Sequence, residues 1–190
     1  MTHSDGITDH IRAREDEHFR KKDRELIEKL RRADADAKMR RALEQETGIH
    51  DPAMLEELSD LGFTPDTIAL LPIIPVVQVA WAKAGISTAE RTLIVKLARA
   101  HGIKAGGAAD HELHDWLDHR PSDDTFHKAT RLIRAMVDSP DGGPLHLTAD
   151  ELMEHCDQIA HASGGLFGIH RVSPEEKATI AEIAAAVKKR

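Results

Sequence analysis

The chain has 190 residues, of which 41% are hydrophobic and 31% charged, and its formal net charge is −7. Residues 1–46 carry 12 basic and 12 acidic side chains, so the net charge falls on residues 47–190, and an acidic body argues against binding to a phosphate backbone. Two Trp, four Phe and no Tyr are too few for a surface that stacks single-stranded bases, and a single Cys excludes an internal disulfide.

The sequence predicts a soluble, cytoplasmic protein. The N-terminus MTHSDGITDHIR has no apolar stretch of the kind that a signal peptide needs. The longest uncharged apolar run, residues 68–82, has 15 residues and two prolines, whereas a bilayer-spanning helix needs about 20 apolar residues. We therefore expect no membrane span, and a peripheral position at the inner face of the membrane stays open.

Residues 7–46 are predicted to form one long helix. Glycine and proline are absent from residues 7–47, and the helix-favouring residues Ala, Glu, Lys, Arg and Leu dominate. The apolar residues are too sparse for a place deep in a core: Ile7, Ile11, Phe19, Leu26, Leu30, Ala33, Ala37 and Leu43. The helix is therefore either a solvated rod with i,i+4 ion pairs or an arm that docks on a partner. We divide the chain into this arm, residues 1–47, and a helical domain, residues 48–190.

Short helices with clear start and stop signals follow the arm. The helix that starts at Thr64 is apolar on nearly every side, so we expect it to be the buried centre of the fold, bent near Pro72 and Pro75 and ending near Ala84. Other helix starts are predicted at Asp51, Ser87, Asp110, Ser122, Thr148 and Ser173. No segment alternates as a strand would. The predicted fold class is all-α: a compact bundle of about seven helices preceded by a long charged helix.

One signature occurs twice, as AGISTAER at residues 84–91 and as FGIHRVSPEEK at residues 167–177. Both copies have Ser-x-x-Glu after a glycine. This is the capping box, in which the hydroxyl accepts the third amide of the helix and the glutamate reaches back to the amide of the cap. The local chemistry is therefore explained by two helix starts.

A larger pattern contains both copies: PVVQVAWAKAGISTAERTLIVKLARAHGI, then DWLDHRP, then GGLFGIHRVSPEEKATI. It resembles bacterial proteins of the TerB tellurite-resistance family over about residues 65–188. The resemblance implies an all-α fold and a role in tellurite resistance or stress response. In that family the first loop usually reads A-W-A-D-G, and its acidic residues have been regarded as a metal or partner site. The matching positions in this chain are Lys83, Glu90, Arg91, Glu176 and Lys177.

The chain departs from that pattern in the first loop. Lys83 stands where the family has an aspartate, and Ala84 replaces the glycine. Hard cations require several carboxylate or carbonyl oxygens, and an ammonium group repels them. We therefore expect no metal at this loop and expect Lys83 to pair with Glu90 instead.

The arm has a separate resemblance. EDEHFRKKDRELIEKLRR, residues 15–32, is similar to the inhibitory helix of the mitochondrial ATP-synthase inhibitor protein, although His18 replaces the usual tyrosine. The matching positions are Phe19, Arg20, Arg24, Glu25, Leu30, Arg31 and Arg32. The arm can also lay apolar side chains into a groove while its charges set the register. We expect the partner-binding residues to be Phe19, Arg20, Arg24, Glu25, Leu26 and Leu30.

Two further stretches contain residues capable of chemistry. In HELHDWLDH, residues 111–119, one helix face carries the zinc-ligand types His111, His114, Asp115 and Asp118, and this face is either a metal site or a water-facing surface. Cys156 is expected to be a buried thiol, because its neighbour His155 points about 100° away from it on a helix. We identify no catalytic set and no cofactor.

The sequence therefore favours a non-enzymatic, TerB-like stress-response module that binds protein partners through the arm and the acidic face around residues 110–118, without nucleic acid. Two alternatives remain: an inhibitor of rotary ATP synthase that acts through the arm, and a metal-binding stress protein. A homodimer is also open.

Overall fold

The computed structural model describes residues 5–138, 148–162 and 172–188, with side chains from residue 17 onwards. All regular secondary structure in these ranges is helical, which confirms the predicted all-α class. The α-helices are α1 (Asp5–Thr47), α2 (Pro52–Asp60), α3 (Ile74–Ala80), α4 (Thr88–Ala100), α5 (Ala108–Asp118), α6 (Asp123–Val137), α7 (Ala149–Ala162) and α8 (Pro174–Val187). A 3-10 helix, Ile68–Ile73, precedes α3.

The chain divides into two compact units, Met1–Met39 and Arg40–Arg190. The described part of the first unit belongs to α1, which is continuous because nothing in its sequence interrupts the backbone hydrogen bonds. In the second unit the last turns of α1 contribute Leu43 and Thr47, both fully buried, to the bundle. Gly48, with a φ of 69°, ends the helix. The domain boundary predicted at residue 47 stays a prediction.

The apolar segment after Thr64 forms the centre of the second unit, as predicted, but as two pieces. Pro72 lies inside the 3-10 helix and Pro75 lies in the first turn of α3. Neither proline has an N–H, so an unbroken α-helical ladder cannot run through this segment. The regular helix starts at Ile68 rather than Thr64 and ends at Ala80, four residues before the predicted end.

Helix α3 is surrounded by α4, α6, α7 and α8. All its residues except Gln78 are buried. Each of these four helices turns an apolar face toward α3, at i, i+3 and i+4 spacing. The largest side chains without exposed surface in this core include Leu58, Leu70, Leu71, Ile73, Ile94, Leu113, Leu117, Phe126 and Leu132.

Most predicted helix starts are confirmed. The side chains of Asp51, Ser87, Ser122 and Ser173 each accept a backbone N–H at their predicted position. Helix α5 is different, because it begins at Ala108 with Gly107 as the N-cap, and Asp110 occupies its first turn. The first part of the second signature copy, residues 167–171, lies outside the described residues.

Candidate functional sites: a lysine between two capping boxes and an exposed helix face

The two copies of the repeated signature fold in the same way. The Ser87 hydroxyl accepts the Glu90 N–H at 3.3 Å, and the Ser87 N–H donates to Glu90 Oε2 at 2.7 Å. In the second copy the Ser173 hydroxyl accepts the Glu176 N–H at 3.1 Å, and the Ser173 N–H donates to Glu176 Oε2 at 2.8 Å. Each glutamate thus uses one oxygen to cap its own helix and leaves Oε1 for another partner.

Lys83 lies between these two glutamates. Its Nζ donates to Glu176 Oε1 at 3.1 Å and lies 3.0 Å from Glu90 Oε1. The contact with Glu90 is an ion pair at hydrogen-bond distance. Both glutamate side chains are fully buried, whereas that of Lys83 is 28% exposed. One ammonium group therefore joins the first turns of α4 and α8.

The loop before α4 delivers Lys83 to this position. Trp81 ends α3 and donates its Nε1–H to the Trp116 carbonyl at 2.9 Å, which anchors the start of the loop. Gly85 adopts a φ of 93°, a conformation that side chains disfavour, and the chain then turns into the Ser87 cap. The Lys83 side chain thereby extends to Glu176 in the first turn of α8.

The charges in this cluster reinforce one another. Burial lowers the pKa of Lys83, but its contacts with Glu90 and Glu176 outweigh burial, so the pKa lies above the usual value of 10.5. The lysine is therefore a permanent cation and a poor nucleophile at neutral pH. Two buried carboxylates thus share one ammonium group. The Lys83 ammonium group lies between the two carboxylates and neutralises part of their charge.

The other two positions carried over from the resemblance differ from each other. Arg91 donates to the Leu117 carbonyl and to Asp118 Oδ1, both at 2.7 Å, and so closes the C-terminal end of α5. Lys177, its counterpart in the second copy, has an exposed side chain. The local likeness of the two copies thus ends at the residue after the glutamate.

The histidine- and aspartate-rich face of α5 is exposed, and its side chains have partners nearby. Asp118 pairs with Arg91. Asp115 Oδ1 lies 3.1 Å from the ring of His119, and His114 lies 3.6 Å from Asp110. His111 is exposed. Within the described ranges, no group of three or more His, Cys, Asp or Glu side chains is arranged to hold a metal ion.

Cys156 lies fully buried on α7, and burial raises the pKa of its thiol to about 12. A thiol with this pKa is almost entirely protonated at neutral pH and unreactive as a nucleophile. Beside it, His155 contacts His101, the C-cap residue of α4, edge to face, with ring centroids 5.4 Å apart. The buried structural thiol that the sequence predicted is therefore observed.

The predicted docking residues of the arm lie on an exposed section of α1. Phe19 is 62% exposed, Leu26 56%, Ile27 49% and Leu30 61%. Arg20, Arg24 and Glu25 are exposed as well, and the Arg24 side chain donates to the Arg20 carbonyl at 3.2 Å. With Met39, five large apolar side chains are exposed in the described part of this one helix, which is unusual because a solvated helix gains nothing from them.

Sequence reasoning missed several tertiary ion pairs, including two that lie outside the lysine cluster and the C-terminal end of α5. Asp110 accepts the Gly106 N–H at 2.7 Å and pairs with Arg99, and these two contacts lower the pKa of its carboxyl. Glu57 of α2 pairs with Arg131 of α6. The partners are too far apart for a helical i,i+4 pattern to reveal them, and only the position of Asp110 in the first turn of a helix was a local signal.

A surface cleft of about 210 Å³ lies between α6 and α8 above Gln78 of α3. Its rim carries His127, Arg131, Arg134 and Glu182. The two arginines already pair with Glu57 and Asp138, so little cationic charge is free to attract an anion.

Comparisons with known proteins give no relative: no family model, no curated protein and no solved structure matches this chain. No helix in the described ranges is long and apolar enough to cross a membrane.

Proposed function

We propose that this chain is a non-enzymatic helical module of the TerB-like, tellurite-resistance type, which acts in stress response by binding a protein partner through α1. The observation that carries the proposal is the exposed apolar set Phe19, Leu26, Ile27 and Leu30. Side chains of this size contribute most to binding when a partner removes them from water, at about 25 cal/mol per Å² of apolar area.

The distribution of charge along the chain supports the same function. Residues 17–36 are exposed throughout, and basic and acidic side chains alternate around the apolar residues. Such a rim fixes the register of a helix in a partner's groove and discriminates between partners. The exposed acidic face of α5, around residues 110–118, provides a second surface for a basic partner.

The lysine-bridged cluster supports a structural role for the repeated signature. Lys83 supplies a cation to Glu90 and Glu176, and both glutamates are withdrawn from solvent. In this proposal the bundle is a stable carrier, and the activity depends on what α1 contacts.

Capture experiments with the full-length chain test the proposal. The double variant Leu26→Glu/Leu30→Glu removes two apolar contacts while keeping good helix formers, and the control Ala35→Glu places one glutamate on the opposite side of α1. We expect one defined protein to be retained by the wild type and by Ala35→Glu, and lost from the double variant. Cells that produce the wild type should also grow at higher tellurite concentration than cells that produce the double variant. Equal capture and equal growth for all three chains would contradict the proposal.

The second candidate function is inhibition of a rotary ATPase, supported by the exposure of Phe19, Arg20 and Leu30 on a continuous helix. The full-length chain is added at micromolar concentration to purified rotary ATPase. Inhibition that Phe19→Ala abolishes would favour this function, whereas unchanged hydrolysis rules it out.

A further inference from the structure

The exposed apolar residues of α1 follow a seven-residue repeat. Phe19, Leu26, Leu30, Ala33 and Ala37 are separated by seven, four, three and four residues. This is the spacing of the two core positions of a coiled coil, and it places all five on one stripe of the helix. Asp23 is the single polar residue at a core position within this stretch, and Ile27 flanks the stripe.

We propose that this stripe is the contact surface for a second copy of the same chain, with the two α1 helices antiparallel. This inference rests on the proposed function, since it names the partner of the same helix face. The arrangement places Phe19 against Ala37 of the second copy, and Leu26 against Leu30. Each layer then joins a large side chain with a small one or two of medium size, which fills the space between the helices.

The antiparallel direction also accommodates Asp23. In this register Asp23 faces Ala33 of the second copy, whose small side chain leaves its carboxylate a path to water. A parallel pair would instead set Asp23 against Asp23, Phe19 against Phe19 and Ala37 against Ala37. That arrangement combines a like-charge contact with one overfilled and one underfilled layer.

The flanking charges favour the same register. Arg20 faces Asp34 of the second copy, and Lys22 faces Asp36, so symmetry produces four ion pairs. Ile27 meets its own counterpart at the two-fold axis and extends the apolar contact. Lys29 faces Lys29 and is the one like-charge contact among these flanking pairs. Every side chain in this set is exposed in the single chain except that of Ala37, which is half-buried.

The mass of the full-length chain in solution is the first test. A seam of about three heptads predicts a dissociation constant on the order of 10–100 µM. Between about 5 and 500 µM, sedimentation equilibrium should therefore show the mass rising from 21.0 kDa toward twice that value. Leu26→Glu/Leu30→Glu should weaken association about a hundredfold or more, and Ala35→Glu should leave it unchanged.

Charge exchange tests the direction of the helices. Arg20→Glu should weaken association about three- to tenfold, and Arg20→Glu/Asp34→Arg should restore it. Asp34 also pairs with Lys38 in its own helix, so Asp34→Arg alone is the control. A parallel pair brings Asp34 near Lys29 instead, so the double exchange would not restore association there.

Disulfide cross-linking tests the two-fold axis. Ile27→Cys should form a linked dimer about tenfold faster than Ala35→Cys, because residue 27, unlike residue 35, meets its own counterpart. The natural Cys156 is buried and does not compete.

A chain that stays monomeric at about 500 µM, yet captures another protein through Leu26 and Leu30, would overturn the dimer and leave the proposed function standing. If the chain forms a dimer that meets these tests, the inference is supported. If that dimer captures no other protein, the proposed role in binding a different protein is refuted.

Discussion

The bundle and helix α1 contain the same kind of ion pair in opposite surroundings. Lys83 lies 3.0 and 3.1 Å from two glutamates whose side chains have no exposed surface. On α1, Arg32 and Glu28 approach to 2.7 Å, but their side chains are 76% and 65% exposed. Distance alone would rank the α1 pair as the stronger. Solvent reverses the order, because water screens an exposed pair and an unpaired buried charge cannot recover its hydration.

The largest effect should follow from removal of Lys83. Lys83→Ala removes the ammonium group that the buried Glu90 and Glu176 share, so we expect the free energy of unfolding to fall by about 3 kcal/mol. Urea denaturation at pH 7 measures this change. Lys96→Ala, on the exposed side of α4, is the control and should stay within about 0.5 kcal/mol of the wild type. A similarly small change for Lys83→Ala would refute the proposed importance of burial.

A second substitution tests whether Lys83 contributes through its charge or through packing. In the Lys83→Ala background, Glu90→Gln removes one of the two buried charges, and its amide can donate to Glu176. We expect this change to recover about 1–2 kcal/mol. No recovery would mean that Lys83 contributes by packing and not by charge.

The serine caps should show an intermediate effect. Ser87→Ala and Ser173→Ala should each lower the free energy of unfolding by about 1–2 kcal/mol, because each hydroxyl holds a helix end beside a buried glutamate. Ser122→Ala removes an exposed N-cap hydroxyl that accepts the Thr125 N–H, and should cost about 0.5–1 kcal/mol. Thermal unfolding of the three variants gives the order, and a larger loss for Ser122→Ala would contradict it.

The pH dependence of stability should be a smaller effect than loss of a serine cap, and it should be confined to pH values below about 6.5. Burial, followed by the neighbouring His155, lowers the pKa of His101 below 6.5, although Glu151 opposes this shift. The unfolded chain therefore takes up a proton first as the pH falls. The stability that His101 contributes is complete above pH 6.5 and is lost between pH 6.5 and its lower folded pKa. His101→Gln should flatten the melting temperature in this range, whereas His111→Gln should not.

The smallest effect should come from the exposed pairs of α1. Glu28→Ala is expected to change helix stability by no more than about 0.5 kcal/mol, and high salt should remove even this difference. Circular dichroism at low and high salt measures it. A salt-resistant loss of about 2 kcal/mol would show that Glu28 is shielded from water by a contact with another chain.

Local signals explain what could be predicted from the sequence. The starts of α4, α6 and α8 followed from one Ser and the residues just after it, because a cap is made within a single turn. The break at Pro72 and Pro75 followed from the missing N–H groups. The start of α5 was misplaced, since Gly107 has no side chain to reveal a cap and the carboxylate of Asp110 gave the stronger signal.

Tertiary contacts explain what could not be predicted from the sequence. Pairing of Lys83 with Glu90 was expected, because the two residues share a loop and the first turn that follows it. Glu176 was not expected in the same cluster, since it lies 93 residues beyond Lys83 and joins it only when α8 packs. The exposure of Phe19 and Leu26 followed from the sparse apolar pattern of the arm, whereas the fully buried position of Leu43 depended on the bundle.

Both tryptophans of the chain lie in the second unit, where the Trp81 indole donates to the Trp116 carbonyl. Intrinsic fluorescence is therefore a natural reporter for the bundle alone, whereas far-ultraviolet ellipticity also counts the long first helix. A denaturation experiment monitored by both signals would separate the unfolding of residues 5–39 from the unfolding of the bundle, and it needs no added dye or label.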